Sequence, residues 1–395
     1  MVSRLRVAVA GLALVALSGG CGDQVAGRDR LPSADAPAVP SFVGTVPATV
    51  PTPLPSVPTA GVSAGPLGGA PAGSLETAPP ATSLATPMAT GTPRTATGPP
   101  RFFVAAPPPS ARFPEGAKTA VHAPARAAVH DAGTGAVVAD VPLPEGVRSS
   151  WHQVAATPDN RTFVMAGWTG PRTPLRFFRV TLGDDGRPGR PVVVPGAEID
   201  AGHIVTAIAL SADATRLALA TPLLGGGGRI SVLDLATGRR RDWWSGADPL
   251  VSGLAWAPDG RRLAWTAGSH GIGVLDLTRE GTDLTAASTR VPLPERGLRL
   301  VESVAFTPDG RDLVYGAGHA VERVPADGGA EPRVLARPEV PAGASLSLRF
   351  SLDGTGRHLI FAHGAEAFRV DLTDGSTTPL PLGRSGAGEP PRIAW

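Results

Sequence analysis

Cysteine, tyrosine and lysine occur once each in 395 residues. A lone thiol, Cys21, excludes an intramolecular disulfide framework and any zinc site built from paired CxxC elements. Long apolar runs are missing too. The longest, residues 7–17 (VAVAGLALVAL), has 11 residues, against about 20 needed to cross a bilayer as a helix, so no transmembrane anchor is expected. Charge of one sign is also lacking. The formal net charge is +2, and removal of residues 1–20, which carry Arg4 and Arg6 and no acid, leaves 34 bases against 34 acids. Such a balance offers no excess for nucleic acid. What is abundant is glycine and proline, 50 and 43 residues, well above average usage. Part of the chain is therefore not expected to pack.

Two arginines, the apolar run and then Ser18-Gly19-Gly20-Cys21 follow the order of a secretory signal. The Leu-Ser-Gly-Gly-Cys stretch resembles a bacterial lipobox, with Ser18 where an aliphatic residue is usual. The resemblance implies cleavage after residue 20 and diacylglyceryl attachment at Cys21, and two acyl chains anchor stably. Residues 1–20 are thus read as a signal peptide and the protein as a lipoprotein on the outer face of the cytoplasmic membrane, with plain secretion as the alternative. Residues 22–100 hold 16 prolines, one aromatic and seven charges. They cannot bury enough surface to fold, so residues 21–100 are expected to be a disordered Pro/Ala/Thr-rich stalk. Its extended reach would be on the order of 240 Å. The match of residues 61–65 to G-x-S-x-G is discounted, because that motif needs a strained strand-to-helix turn.

From residue 101 onward one pattern recurs: VAATPDNRTFVMAG, IALSADATRLALAT, LAWAPDGRRLAWTA, VAFTPDGRDLVYGA and LRFSLDGTGRHLIFA. Aligned on Asp159, Asp213, Asp259, Asp309 and Asp353, the copies are 54, 46, 50 and 44 residues apart. Each reads as a hairpin in which proline presets the turn, aspartate caps it and glycine supplies a positive φ. Asn160 and Ala214 replace that glycine, so their turns are expected to be the least regular. A second hairpin follows each copy and one more precedes the first, six in all, near 127–142, 176–194, 229–244, 272–292, 320–335 and 367–380. The missing first hairpin is split between the termini: residues 392–395 (RIAW) match 253–256 (GLAW), and 101–105 match 262–266. Four strands per unit make a propeller blade. The expected fold is an all-β, six-bladed propeller over residues 101–395, closed by N- and C-terminal strands sharing a blade, with seven blades as the alternative.

The copies resemble the PD40 repeats of the WD40-like and TolB-like propeller family, best in WAPDGRRLAW followed by VLDL. That resemblance implies the fold and leaves function open. Lys118 as sole lysine among 36 bases fits a high-GC genome and an actinobacterial lipoprotein.

On a propeller, the inter-blade loops and the loops between second and third strands share one face, opposite the P-D-G turns. His270, His319 and His363 occupy equivalent turns on that loop face, and His152 and His203 precede inner strands. Equivalent points there lie on the order of 12 Å apart, from strands about 4.8 Å apart, too far for a shared zinc with bonds of about 2 Å. No metal, cofactor or catalytic residue is therefore assigned. These histidines and Trp168, read as a loop residue beside Gly167, are candidate binding contacts. Trp151, Trp256, Trp265 and Trp395 read as inter-blade core, Trp243 and Trp244 as the end of an outer strand with one ring facing in, and Arg239–Arg241 as a solvated basic turn. The leading functional expectation is a tethered, non-catalytic, monomeric module that binds an envelope or extracellular protein, peptide or glycan through channel-mouth loops. A hydrolase or lactonase, with Asp200, Glu302 or Glu366 beside His203 or His319, and a structural envelope scaffold are the alternatives.

Overall fold

A computed structural model of the chain describes residues 98–106, 111–112, 121–122, 126–145, 147, 151–168, 173–200, 204–223, 226–246, 250–268, 271–293, 301–339, 349–363, 366–382 and 390–395. The expected signal peptide, Cys21 and nearly all of the expected stalk lie outside this set. Within it, six antiparallel four-stranded sheets follow one another as blades. Blade 2 begins with inner strand Trp151–Ala156, blade 3 with Ala207–Leu210, blade 4 with Gly253–Trp256, blade 5 with Val304–Phe306 and blade 6 with Phe350–Leu352. Blade 1 is composite: the inner strand Arg392–Ala394 pairs with Phe102–Ala106, followed by Ala128–Asp131 and Val137–Asp140. One short helix, Leu284–Ala287, is the only helix among the described residues. Six blades, not seven, and closure by both termini are what the repeats predicted.

Sheet faces carry the core. Alternation along each strand sends neighbouring side chains to opposite faces, and the buried residues form six clusters, one between each adjacent pair of blades. Large residues meet small ones. Trp265 lies across Gly273, where a Cβ would fall 2.3 Å from the indole, and its Nε1 donates to Ser288 Oγ at 3.0 Å. Trp151 is fully buried and meets Phe178 edge-on. Trp243 is buried and Trp244 is 39% exposed, as an outer strand with one inward ring requires. Arg240 and Arg241, by contrast, belong to that strand, and Arg241 Nη1 donates to Leu277 O at 2.8 Å in blade 4. Arg241 thus fastens two blades, and Arg240 is bonded within its own sheet to Asp242 and Ser231, so neither belongs to a free basic turn.

Three details of the repeat differ from the sequence alignment. First, Ala394 pairs with Val104 whereas Ala255 pairs with Ala264, so residues 102–106, not 101–105, correspond to 262–266. A one-residue slip exchanges the two faces, and here no connecting turn fixes the register. Second, the turns of Asn160 and Ala214 are regular: their φ values of 51° and 55° match Gly260, Gly310 and Gly356 at 65–70°. The neighbouring hydrogen bonds impose the left-handed conformation on whatever residue is there. Asn160 adapts by donating from Nδ2 to Phe102 O at 2.7 Å. Ala214 has no such compensation, and a left-handed alanine costs about 1–2 kcal/mol. Ala214→Gly is therefore expected to raise unfolding free energy by about 0.5–1 kcal/mol after the entropy of the added glycine; an unchanged or lowered denaturant midpoint would contradict it.

Third, Asp353 is not the counterpart of the other four aspartates. Gly356, with φ 70°, occupies the place of Gly260, which puts Thr355 at the aspartate position, 46 residues after Asp309, and Asp353 at the position of Thr157, Ser211 and Thr307. The same hydrogen bond survives with its ends exchanged. Thr157, Ser211 and Thr307 donate to Asp159, Asp213 and Asp309 at 2.6 Å, while Thr355 Oγ1 donates back to Asp353 at 2.6 Å.

Candidate functional site

The six inner strands surround a central channel that holds a cavity of about 350 Å³. Its walls are layered by the strand period. Val154, Ile208, Leu254, Val304, Phe350 and Ile393 form one ring, and Ala156, Leu210, Trp256, Phe306, Leu352 and Trp395 another. Between them runs a ring of small residues: Ala155, Ala209, Ala255, Ala305, Ser351 and Ala394. Small side chains at that one level leave the channel hollow. The wall is two-sided in chemistry, because the aromatic members come from blades 4, 5, 6 and 1, whereas blades 2 and 3 contribute no aromatic side chain.

Beyond the second ring the lining continues to Pro158, Ala212, Pro258, Pro308 and Gly354, the residues that open the turns. The cavity therefore occupies the end of the channel next to the P-D-G turns. Toward the other end, polar side chains sew blade to blade. Gln153 Nε2 donates to Val205 O and Thr206 O at 3.1 and 3.2 Å, Thr206 Oγ1 donates to Val251 O at 2.6 Å, and Phe350 N donates to Ser303 Oγ at 3.1 Å. Glu302, one of the acids considered for catalysis, faces Arg349 at 3.9 Å.

Guanidinium groups brace the aromatic arc. Arg216 of blade 3 lies over Trp256 of blade 4 at 4.8 Å, and Arg262 of blade 4 over Phe306 of blade 5 at 5.5 Å. Trp256 is held further by donation from Nε1 to Ala209 O at 3.0 Å; it is half-buried channel wall, not closed core. The polar side chains in the lining are also spoken for: Thr157 by Asp159 and Thr162, Ser351 by the backbone of Trp395, and Asp353 by its own turn. Turn carboxylates of both the inner and the outer hairpins are tuned by local hydrogen bonds. Asp309 is held below the ordinary carboxylate range first by the Thr307 hydroxyl, Asp276 first by the Thr278 hydroxyl, and Asp234 first by the Thr237 amide.

Of the residues singled out from sequence, the structure brings two together. His152 and Trp168 stack with ring centroids 4.9 Å apart and 27° between planes. Trp168 is not a loop residue: it ends the strand Thr162–Trp168, pairs with Leu175 and is half-buried, because the strand runs two residues past Ala166 before the chain turns. His319 sits exposed in the turn between Asp312–Ala317 and Ala320–Pro325, and His363 ends the strand His358–His363 opposite Glu366. His203 and His270 lie outside the described residues, as do most of the loop tips on that face. Among the described residues, no three His, Cys, Asp or Glu side chains are grouped to hold a metal ion, and no helix is long and apolar enough to cross a membrane.

Sequence reasoning missed the cavity, although its signal was present. The alanine one residue after the central apolar position recurs in every copy except the last, where Ser351 replaces it.

Neither a family model nor a curated protein sequence matches the chain. Among solved structures, TolB from Acinetobacter baumannii is similar, with a TM-score of 0.52 and 15% sequence identity. The likeness covers 74% of this chain and spans 66% of that protein. The described part of this chain is a six-bladed propeller similar in fold to TolB.

Proposed function

We propose that the protein is a non-catalytic binding module, carried by a lipid anchor at Cys21 and a Pro-rich stalk on the outer face of the cytoplasmic membrane. Its ligand is a protein or peptide that places an apolar side chain in the channel. The observation that carries this reading is the cavity wall: Trp256, Phe306, Phe350 and Trp395 form a braced arc opposite aliphatic residues, the lining typical of ligand sites. Large aromatic side chains in a desolvated pocket are the usual energetic anchors of recognition. The loop-face histidines are contacts at most, and nucleic acid has no charge basis here.

Crosslinking capture with the full chain from its native envelope tests this reading, with Trp256→Ala and His152→Ala beside the parent. One partner held by the parent and reduced roughly tenfold or more by Trp256→Ala, a loss of about 1.4 kcal/mol, with circular dichroism unchanged, supports channel binding. Loss with His152→Ala alone would move recognition to the opposite face. Equal capture by all three would favour a scaffold that docks elsewhere.

A further inference from the structure

Among the described residues, five guanidinium groups lie over aromatic rings, and four of them have a structural task. Arg216 and Arg262 reach rings of the next blade. Arg241, over Trp243, also donates to Leu277 O of blade 4, and Arg101, over Phe102, pairs with Asp131 at 3.5 Å. The fifth joins no blade to another. Arg229, on the strand Gly228–Asp234, lies at 5.2 Å over Trp244, its cross-strand partner in the same sheet. Its Nε donates at 3.2 Å to Oγ1 of Thr221, buried in the same blade. Trp244 is the one Trp, Phe or Tyr among the described residues that is left exposed.

Strand alternation places the pair. Trp243 packs in the cluster between blades 3 and 4, so Trp244 turns to the opposite face, toward blade 2. Both Arg229 and Trp244 stand at the loop-face ends of their strands, where Asp200 follows the outer strand Val192–Ile199 of blade 2. Two residues before Trp244 on the same face, about 7 Å along the strand, Asp242 accepts from Arg240 Nε at 2.8 Å. Arg229 has no such partner: among the described residues no carboxylate lies within ion-pair distance of it. Burial holds its guanidinium below the ordinary range, the Arg240 charge pushes the same way, and Asp242 and Asp200 oppose. Still a cation, Arg229 is a half-buried charge short of an anion. The strand edge beside it is already covered, because Trp244 N donates to Thr282 O at 2.8 Å and Trp244 bridges Asp283. A peptide cannot add here as an extra strand, which leaves recognition to the indole and the charged side chains.

We infer that Trp244 and Arg229 form a binding site for an acidic glycan, with a sugar ring against the open part of the indole and its carboxylate on the Nη atoms of Arg229. A guanidinium suits both neighbours, since it stacks on aromatic faces and takes a carboxylate through two parallel hydrogen bonds. A pyranose presents C–H groups to the indole and hydroxyls at its rim, and the Arg240–Asp242 pair beside Trp244 offers those hydroxyls donors and acceptors together. The carboxylate supplies the anion that Arg229 lacks, whereas a neutral sugar would leave that charge unmatched. The site lies in the outer cleft between blades 2 and 3 at the loop-face end, away from the cavity next to the P-D-G turns, so it stands whether or not the channel takes a peptide.

The test is affinity electrophoresis of the full chain through gels holding polygalacturonate, hyaluronate, methyl-esterified polygalacturonate or poly-glutamate. The parent is expected to be retarded by at least one of the two carboxylate polysaccharides and not by the ester. Trp244→Ala and Arg229→Gln should each weaken that binding about tenfold or more, equivalent to about 1.4 kcal/mol, with Tm within about 2 °C of the parent's. Trp244→Phe, which keeps an aromatic face, should lose less than about threefold, and Trp256→Ala, in the channel, should bind as the parent does. No retardation of the parent by either polysaccharide, equal retardation by the ester, parent-like binding by Trp244→Ala, or loss in Trp256→Ala instead would overturn the glycan site. Retardation by poly-glutamate as strong as by the polysaccharides, and lost in Trp244→Ala, would also overturn it and assign the pair to acidic peptides. Should Trp244→Ala fold poorly, Arg229→Gln, which leaves the indole in place, decides: parent-like binding by that variant would overturn the site.

Discussion

Trp395→Ala is expected to destabilise the propeller by about 3–5 kcal/mol, the range for emptying a buried tryptophan site. The closing strand Arg392–Ala394 pairs with only three residues of its neighbour, too little ladder to hold a blade together. Trp395 supplies the rest. It is 3% exposed within the cluster between blades 6 and 1, its Nε1 donates to Pro100 O at 3.0 Å, and its amide donates to Ser351 Oγ at 2.9 Å. The indole thus ties the C-terminal strand to the segment leading into the first propeller strand, and the same residue's backbone ties it to blade 6. Trp244→Ala is the comparison, because that ring is 39% exposed with Arg229 over it at 5.2 Å; its loss should stay under about 1 kcal/mol. Guanidinium titration of both variants decides the matter. Equal losses would mean that the termini are held by something other than this indole.

The blade count and closure were legible in sequence because a propeller repeats one hairpin chemistry. Pro258-Asp259-Gly260 states a turn outright, and the alternation on either side states two strands. What was not legible depends on contacts between copies. Thr355 and Asp353 exchange roles without changing the hydrogen bond they make, so alignment by residue type chose the wrong aspartate. Ala214 looked like a poor turn former because sequence cannot show that its neighbours impose the conformation. Trp168 beside Gly167 read as loop because the extra strand residues are set by pairing with Leu175 across the hairpin. The site was missed for a related reason. A cavity is a property of six strands at once, and one alanine per repeat looks like packing until the six are placed around an axis.

A large effect of a single added methyl group is expected at Gly354. Successive turns lean on one another around the rim: beside Gly310 the nearest atom is Pro258 Cδ, and beside Gly356 it is Pro308 Cδ, at 3.2 and 2.6 Å from where a Cβ would lie. Blade 1 offers no turn to this ring, since its inner hairpin joins the two termini. Gly354 of blade 6 therefore meets Pro158 of blade 2, and a Cβ there would fall 2.2 Å from Pro158 O and 3.1 Å from Pro158 C. Backbone cannot swing aside as a side chain can. Gly354→Ala is expected to lose about 2–3 kcal/mol, at the upper end for overpacking. Gly238→Ala is the converse case, left-handed strain without a clash, because Gly238 has φ 70° and nothing within 4 Å whereas Gly354 has no positive φ; it should lose only about 1–2 kcal/mol. The two variants differ in a second way. Pro158 and Gly354 both line the cavity, so Gly354→Ala should also spread the channel mouth, seen as increased quenching of Trp256 and Trp395 fluorescence by acrylamide, while Gly238→Ala leaves quenching at the parent's value. Unchanged quenching together with a loss no greater than that of Gly238→Ala would show that blades 2 and 6 do not hold the rim closed between them.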